Sequence, residues 1–324
     1  MKPFAYERAD SLETAQRAMA RGARTLAGGT DLVPLMQEHV VHPARLVDVS
    51  ALVDGALRTV ELLPDGGLRL GALLTLAEIA RHAMVRRAYP ALAQAALSAG
   101  TPQIRNVATL GGNLCQWNRC WYFRDAVPCH LNGGDGCPAM DGDHRFHAVF
   151  RDGPCIAVHP SDPAVALLAF EARVQAQGMA GAREVPLAAF LRPPGPGRPE
   201  QADLQPGEVL TAVILPPAIG RSGFEKAMER QAWAFALVSV AAVVELRSGR
   251  VAHARLALGG VAGVPRAAVE AARSLEGLPL DAEAVDRAAL LAVQGAQPLM
   301  QNGYKLDLAQ RLVRAVLLDL AAVG

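Results

Sequence analysis

Residues 109–162 read TLGGNLCQWNRCWYFRDAVPCHLNGGDGCPAMDGDHRFHAVFRDGPCIAVHPSD, and they hold every cysteine of the 324-residue chain. The five are Cys115, Cys120, Cys129, Cys137 and Cys155, spaced C-x4-C-x8-C-x7-C-x17-C, so any four-ligand set leaves one over. Thiols gathered in a Gly-, Asp- and Pro-rich loop, just after a glycine pair, point to a bound inorganic centre. Disulfides serve small domains in oxidising compartments, which fits a long chain with an odd cysteine count poorly. Structural zinc favours a close C-x2-4-C knuckle followed by a second pair, and only Cys115 and Cys120 approach that spacing. Inert core thiols are disfavoured by the polarity of the segment. Thiolates spread along a loop fit an iron–sulfur cube best, because each iron of the cube takes one cysteine.

Working outward, Thr109-Leu110-Gly111-Gly112-Asn113-Leu114 repeats the form of Leu26-Ala27-Gly28-Gly29-Thr30-Asp31-Leu32. Two glycines between a strand and a helix let the backbone approach a phosphate, with the peptide N–H groups of the turn and of the helix N-terminus facing the anion. Thr30 can add a hydroxyl donor. A tight turn with Asp31 capping the helix explains the first loop taken alone; the pair of loops favours the two phosphates of one dinucleotide. Neither loop is G-x-G-x-x-G, and no Rossmann fingerprint occurs elsewhere. A diphosphate ligand here therefore points to FAD in another fold.

The length predicts two domains, or three small lobes, each with its own core. Hydrophobic residues make up 51% and charged residues 19%, with a formal net charge of +1. The Lys and Arg residues are dispersed, so no electrostatic case arises for nucleic acid or an anionic membrane. The longest apolar run, residues 235–246 (FALVSVAAVVEL), is far shorter than the roughly 20 residues of a spanning helix, and its β-branched content suits a buried strand. The first residues, MKPFAYERADSLETAQRAM, hold no apolar h-region, so we expect no export signal on this chain.

A first lobe, residues 1–55, alternates helix and strand: a helix capped near Ser11, a strand over 24–27, a helix over 32–38 and a strand over 44–50. A second lobe, 56–216, opens with two strands joined by the turn Pro64-Asp65-Gly66-Gly67 and continues with helices near 76–83 and 89–99. The cysteine loop over 115–155 follows, then a return strand with its helix. The Pro/Gly-rich run 192–208 reads as a connector, with the main boundary just after it. A third lobe, 217–324, offers three strands within 222–261, then helices near 265–276, 281–294 and 304–322. That order is α+β, a sheet covered on one face.

On the stretches PFAYERADSLETA, TLAGGTDLVPLM, GTPQIRNVATLGGNL, HPSDPAVALLA, FEKAMERQAWAFALVSVAAVVEL and NGYKLDLAQRLVRAVL, the chain resembles the FAD-binding medium subunits of molybdenum hydroxylases, over essentially its whole length. The resemblance implies a two-lobed FAD-binding domain of the vanillyl-alcohol-oxidase/PCMH type over 1–216. A C-terminal α+β domain of the CO-dehydrogenase flavoprotein type, a three-stranded sheet plus helices, would cover 217–324. The inserted loop is similar to that of the subset with an extra [4Fe–4S] cluster, seen in 4-hydroxybenzoyl-CoA reductase and bacterial periplasmic aldehyde oxidoreductase. NRC, VPC, DGC and GPC then match ligands at Cys120, Cys129, Cys137 and Cys155, which leaves Cys115 to packing or, as the alternative, to a ligand role. NRCWYFRD, GCPAMDG and HAVF look closer to the aldehyde oxidoreductase type.

By the same resemblance, residues Leu26 to Leu32 and Gly111, Gly112 and Asn113 would hold the FAD pyrophosphate. Thr101, Ile104 and Ala108 would lie near the flavin or its ribityl chain. Ser161 and Asp162 would hydrogen-bond the cofactor, and Lys226 would stand beside the flavin ring, although a lone lysine at a strand start also reads as a solvated charge. His130, His144, His147 and His159 are either donors around the cluster or plain polar loop residues. The implied partners are a large molybdopterin subunit that oxidises the substrate, a small subunit with two [2Fe–2S] clusters, and an external electron acceptor. No acid–base pair or nucleophile of this chain's own stands out. The alternatives are the flavin subunit of a 4-hydroxybenzoyl-CoA reductase-like or other xanthine dehydrogenase-family hydroxylase and, without redox chemistry, a zinc-stabilised diphosphate-binding module. The compartment expected is the periplasm, reached with a signal-bearing partner, or else the cytoplasm.

Overall fold

The computed structural model describes residues 1–52, 55–230 and 232–322. The first lobe is built from β1 (Ala5–Arg8), α1 (Leu12–Ala20), β2 (Arg24–Leu26), α2 (Leu32–Gln37) and β3 (Arg45–Asp48). Its three strands are parallel in the order β1-β3-β2. The Ser11 hydroxyl accepts from the Thr14 N–H at 3.1 Å and so starts α1 where the capping residue predicts. Strand β1 escaped the sequence reading because AYER is short and mostly exposed.

The second lobe holds β4 (Val60–Leu62), β5 (Leu68–Gly71), α3 (Leu76–Arg81), α4 (Ala83–Ala88), α5 (Pro90–Ser98), α6 (Pro102–Arg105), α7 (Leu110–Leu114) and α8 (Trp121–Arg124). After the cysteine loop come α9 (Asp162–Ala169), β6 (Arg173–Gly178), β7 (Gly181–Pro186), α10 (Leu187–Phe190) and β8 (Val209–Leu215). The sheet order β4-β5-β8-β6-β7 places β8 at its centre. VLTAVIL thus follows the Pro/Gly-rich run as an almost wholly buried central strand, a strand the sequence reading did not pick out.

The third lobe has β9 (Arg221–Ala227), β10 (Val238–Arg247), β11 (Arg250–Gly259) and β12 (Arg266–Ala267), followed by α11 (Val269–Arg273), α12 (Ala282–Ala292) and α13 (Tyr304–Ala322). The sheet is four-stranded, not three-stranded, in the order β12-β11-β10-β9. Strand β12 is two residues long, too short for any periodic signal, and it takes the start of the helix expected from 265. Nor is the sheet covered on one face. Along β10, Val238, Val240, Ala242 and Val244 join the core under α11–α13, whereas Ala241 and Val243 join the core shared with α5 and α9 of the second lobe. The unbroken apolar run that suits β10 to a buried strand is itself the mark of burial on both sides. Among the described residues, no helix is long and apolar enough to cross a membrane.

Candidate functional site

The two glycine loops meet. A Cβ on Gly28 would run into the carbonyl of Val107, so only glycine lets the first loop lie against the segment that leads into the second. Gly29 adopts φ +70, which also favours glycine. Residues Leu26 to Leu32 line a cleft of about 600 Å³, and Thr109, Gly111 and Gly112 line the same cleft. That volume lies within the range of small-molecule and cofactor sites. Among the described residues, the peptide N–H groups of Gly28, Gly29 and Thr30 have no acceptor in the chain and remain available to a ligand. Those of Gly111 and Gly112 are used internally, by the Ala72 carbonyl at 2.8 Å and the Thr109 hydroxyl at 3.2 Å.

The rest of the wall was not foreseen. Arg192, Arg198, Glu200 and residues 202–210 border the cleft, so the run taken for a connector forms one side of it. Its Pro and Gly content signals irregular backbone, but not which cavity that backbone faces. Cys115 borders this cleft too and packs on the main core, away from the other thiols; burial pushes its thiol up to about 12.

The remaining predicted cofactor residues lie off that wall. Thr101 caps α6 by accepting from the Ile104 N–H at 3.4 Å, and Ile104 packs over Gly100. Ala108 is buried and its carbonyl accepts from Leu76. The Asn113 amide oxygen accepts from the Ser161 hydroxyl at 2.6 Å, joining the TLGGN and HPSD motifs directly. Ser161 also caps α9 through the Ala164 N–H. Lys226 is not a solvated charge: its side chain is 3% exposed, and its ammonium lies 2.7 Å from Asp162 and 3.1 Å from the Ser98 carbonyl. Burial raises the Asp162 carboxyl above its ordinary range, with Lys226 opposing that rise.

Asp31 does not cap α2. Its carboxylate turns toward the cysteine loop, where it accepts from the Trp117 N–H at 2.8 Å and pairs with Arg119 and Arg124, each at 2.9 Å. Arg124 is itself buried and also reaches Glu38 at 3.2 Å and the Asn118 carbonyl at 3.0 Å. Arg119 stacks on Phe235 of the third lobe. These two arginines are the residues that motif reading missed. Their only sequence signal is position: one directly precedes Cys120, and the other follows it by four.

Cys120, Cys129, Cys137 and Cys155 ring one small cavity, with Tyr122, Phe123, His130, Leu131, Ala139, His147 and Ala157 between them. Among the described residues, no group of three or more His, Cys, Asp or Glu side chains is placed to hold a metal ion. Burial pushes the Cys120 thiol up to about 11 and Cys155 up to about 12. The peptide N–H groups of Phe123 and Tyr122 oppose this at Cys120, and that of Ala157 does so at Cys155. N–H groups aimed at sulfur in an apolar shell favour anionic, metal-bound thiolates. Four soft donors around one cavity fit a four-iron cube, one donor to each iron.

Of the histidines, His147 brings Nε2 to 3.3 Å from Cys120 Sγ, and burial, helped by the Lys305 charge, pushes it down to about 4. A neutral imidazole there can donate to sulfur. His130 lines the same cavity. His144 is held between the Ala139 carbonyl and Gln301. His159 accepts from the Ser161 N–H, and burial pushes it down to about 4.

A cleft walled by paired glycine loops, with free peptide N–H groups on one side, is a place where a nucleotide's phosphates could sit. Residues 2–218 match the FAD binding domain in molybdopterin dehydrogenase, and residues 224–320 match the CO dehydrogenase flavoprotein C-terminal domain. The chain belongs to the FAD-binding medium subunits of the molybdenum hydroxylase family, whose members are parts of oxidoreductase complexes. It is 41% identical over 330 residues to the aldehyde oxidoreductase FAD-binding subunit PaoB of Escherichia coli K12, covering 99% of each chain. It is 27% identical to the xanthine dehydrogenase FAD-binding subunit of Escherichia coli O157:H7, over 98% of this chain and 96% of that one. Among solved structures, quinoline 2-oxidoreductase from Pseudomonas putida 86 superposes with a TM-score of 0.78 at 25% identity, covering 99% of each chain. Reconstituted CO dehydrogenase from Oligotropha carboxidovorans does so with a TM-score of 0.79 at 23% identity, a likeness of fold.

Proposed function

We propose that this chain is the FAD- and [4Fe–4S]-binding electron-transfer subunit of a heterotrimeric, molybdenum-containing aldehyde oxidoreductase. The observation that carries the reading is the ring of Cys120, Cys129, Cys137 and Cys155 around one cavity, joined through Arg119 and Arg124 to Asp31 of the first glycine loop. The four thiolates would hold the cluster. The free N–H groups of Gly28, Gly29 and Thr30 would take the pyrophosphate, with Gly111, Gly112 and Asn113 closing the other side. Thr101, Ile104 and Ala108 would border the flavin, and the Ser161, Asp162 and Lys226 network would orient and hold charge beside it. The two bound groups supply the redox chemistry, and the protein sets their environment through burial and hydrogen bonds.

The aldehyde assignment is supported by the 41% identity to an aldehyde oxidoreductase subunit. In this reading the substrate is oxidised on a large molybdopterin subunit, electrons arrive from a small [2Fe–2S] subunit, and an external acceptor takes them away. The complex reaches the periplasm by export with a signal-bearing partner. An absorption spectrum with iron and sulfide analysis tests the proposal. Flavin bands over a broad absorption that bleaches with dithionite, with four irons per chain, are expected. Flavin with no iron would leave an FAD subunit without a cluster, and a colourless zinc protein would overturn the reading altogether.

A further inference from the structure

Lys305 is fully buried, yet among the described residues no carboxylate lies within ion-pair distance of it. Its ammonium donates to two backbone carbonyls, Phe146 at 2.8 Å and Gly260 at 2.7 Å. An uncompensated buried cation is costly, so its location matters. Phe146 directly precedes His147, whose ring touches Cys120 Sγ. Gly260 borders a second small cavity, shared with His159, Ser161 and Asp162 on the flavin side. The one buried charge of the 301–305 segment therefore stands between the cysteine cavity and the flavin-side network. It is held there by backbone dipoles, which do not neutralise it as a carboxylate would.

We propose that Lys305 is a positioning residue that tunes the redox centre of the cysteine cavity: its buried positive charge favours the reduced, more negative state. The inference rests on the cluster reading above. Reduction adds an electron to a centre already surrounded by four thiolates, and in a poorly screened interior a nearby cation lowers the energy of that added charge. A unit charge on the order of 10 Å from such a centre, at an effective dielectric of about 20, is worth about tenfold in the ratio of reduced to oxidised forms.

The test is a potentiometric titration of the assembled complex, read by electron paramagnetic resonance at pH 6, below the value of about 7 to which burial pushes Lys305. Lys305→Met removes the charge. Lys305→Gln removes it while keeping a donor for the two carbonyls, and it serves equally if the methionine variant does not fold. Both are expected to shift the cluster couple downward by about tenfold in that ratio, or 59 mV for one electron, and Lys305→Arg is expected to return it toward the unaltered value. Variants that retain iron and titrate as the unaltered protein does, with only a change in Tm, would overturn the proposal and leave Lys305 a structural clamp. Absence of iron from the unaltered complex is a separate failure: it removes the cluster reading, and the inference with it.

Discussion

Asp162 and Lys226 form an ion pair whose side chains are 6% and 3% exposed, and such a pair is costly to break from one side. Replacing one partner leaves the other charge buried, typically at 3–5 kcal/mol. Lys226→Met should destabilise the protein by about that much, and the double variant Asp162→Asn, Lys226→Met should recover part of the loss, with urea midpoints as the readout. A double variant no better than the single one would mean that the pair does not set the cost. The sequence also allowed a solvated lysine here, and burial rules that reading out. Lys305 supports a second prediction, in pH. Its folded value of about 7 lies below the ordinary 10.5. Between those values the unfolded chain keeps a proton that the folded chain has shed, so raising the pH favours folding. Relative to Lys305→Met, the unaltered protein should gain stability from pH 7 to pH 10, with a ceiling on the order of 4–5 kcal/mol. Taking the difference cancels the cysteine thiols, whose raised values act the other way; a flat difference would refute the assignment.

Among the elements, the strands and helices with long periodic or apolar runs were legible: α1, α5, α12, α13, β10 and β11 fall close to where the sequence puts them. Each miss has a local cause. For β12 that cause is its two-residue length; β8 carries an apolar, β-branched run but follows directly on the Pro/Gly-rich segment, and that segment is itself irregular backbone, whose packing no local pattern encodes. The same applies to Asp31. Its position before α2 reads as a cap, yet its carboxylate serves Trp117, Arg119 and Arg124 instead, because a buried guanidinium such as Arg124 needs a compensating charge more than a six-residue helix needs a cap. Asp31 thereby links the glycine loop of α2 to the cysteine loop around α8. Asp31→Asn should accordingly weaken both sites together, lowering flavin occupancy and iron content in one preparation. Gly28→Ala, whose Cβ would strike the Val107–Ala108 backbone, should lower flavin occupancy with little change in iron. Equal patterns in the two variants would argue against a specific link through Asp31.

Across the whole molecule, the cysteine loop belongs in sequence to the first domain but is fastened by the last. Residues 144–148 are each hydrogen-bonded by the segment 301–305: His144 to Gln301, the Arg145 carbonyl to Tyr304, the Phe146 carbonyl to Lys305, and the His147 and Ala148 carbonyls to Asn302. The family motif NGYK was plain in the sequence, but the partner it serves was not, because that partner lies about half the chain away. Asn302 is fully buried, and its amide also accepts from the Leu299 N–H at 2.7 Å. Truncation by Asn302→Ala strands those backbone groups without partners, at about 1–3 kcal/mol for each group left unsatisfied. The flavin cleft is built from other segments, so its occupancy should hold. Expected outcomes are a lower Tm and faster iron loss to a chelator at unchanged flavin content, followed by absorbance in one sample. Iron and flavin leaving at the same rate would mean that the loop and the cleft come apart as one unit, and that the C-terminal domain clamps the fold as a whole rather than the cysteine loop.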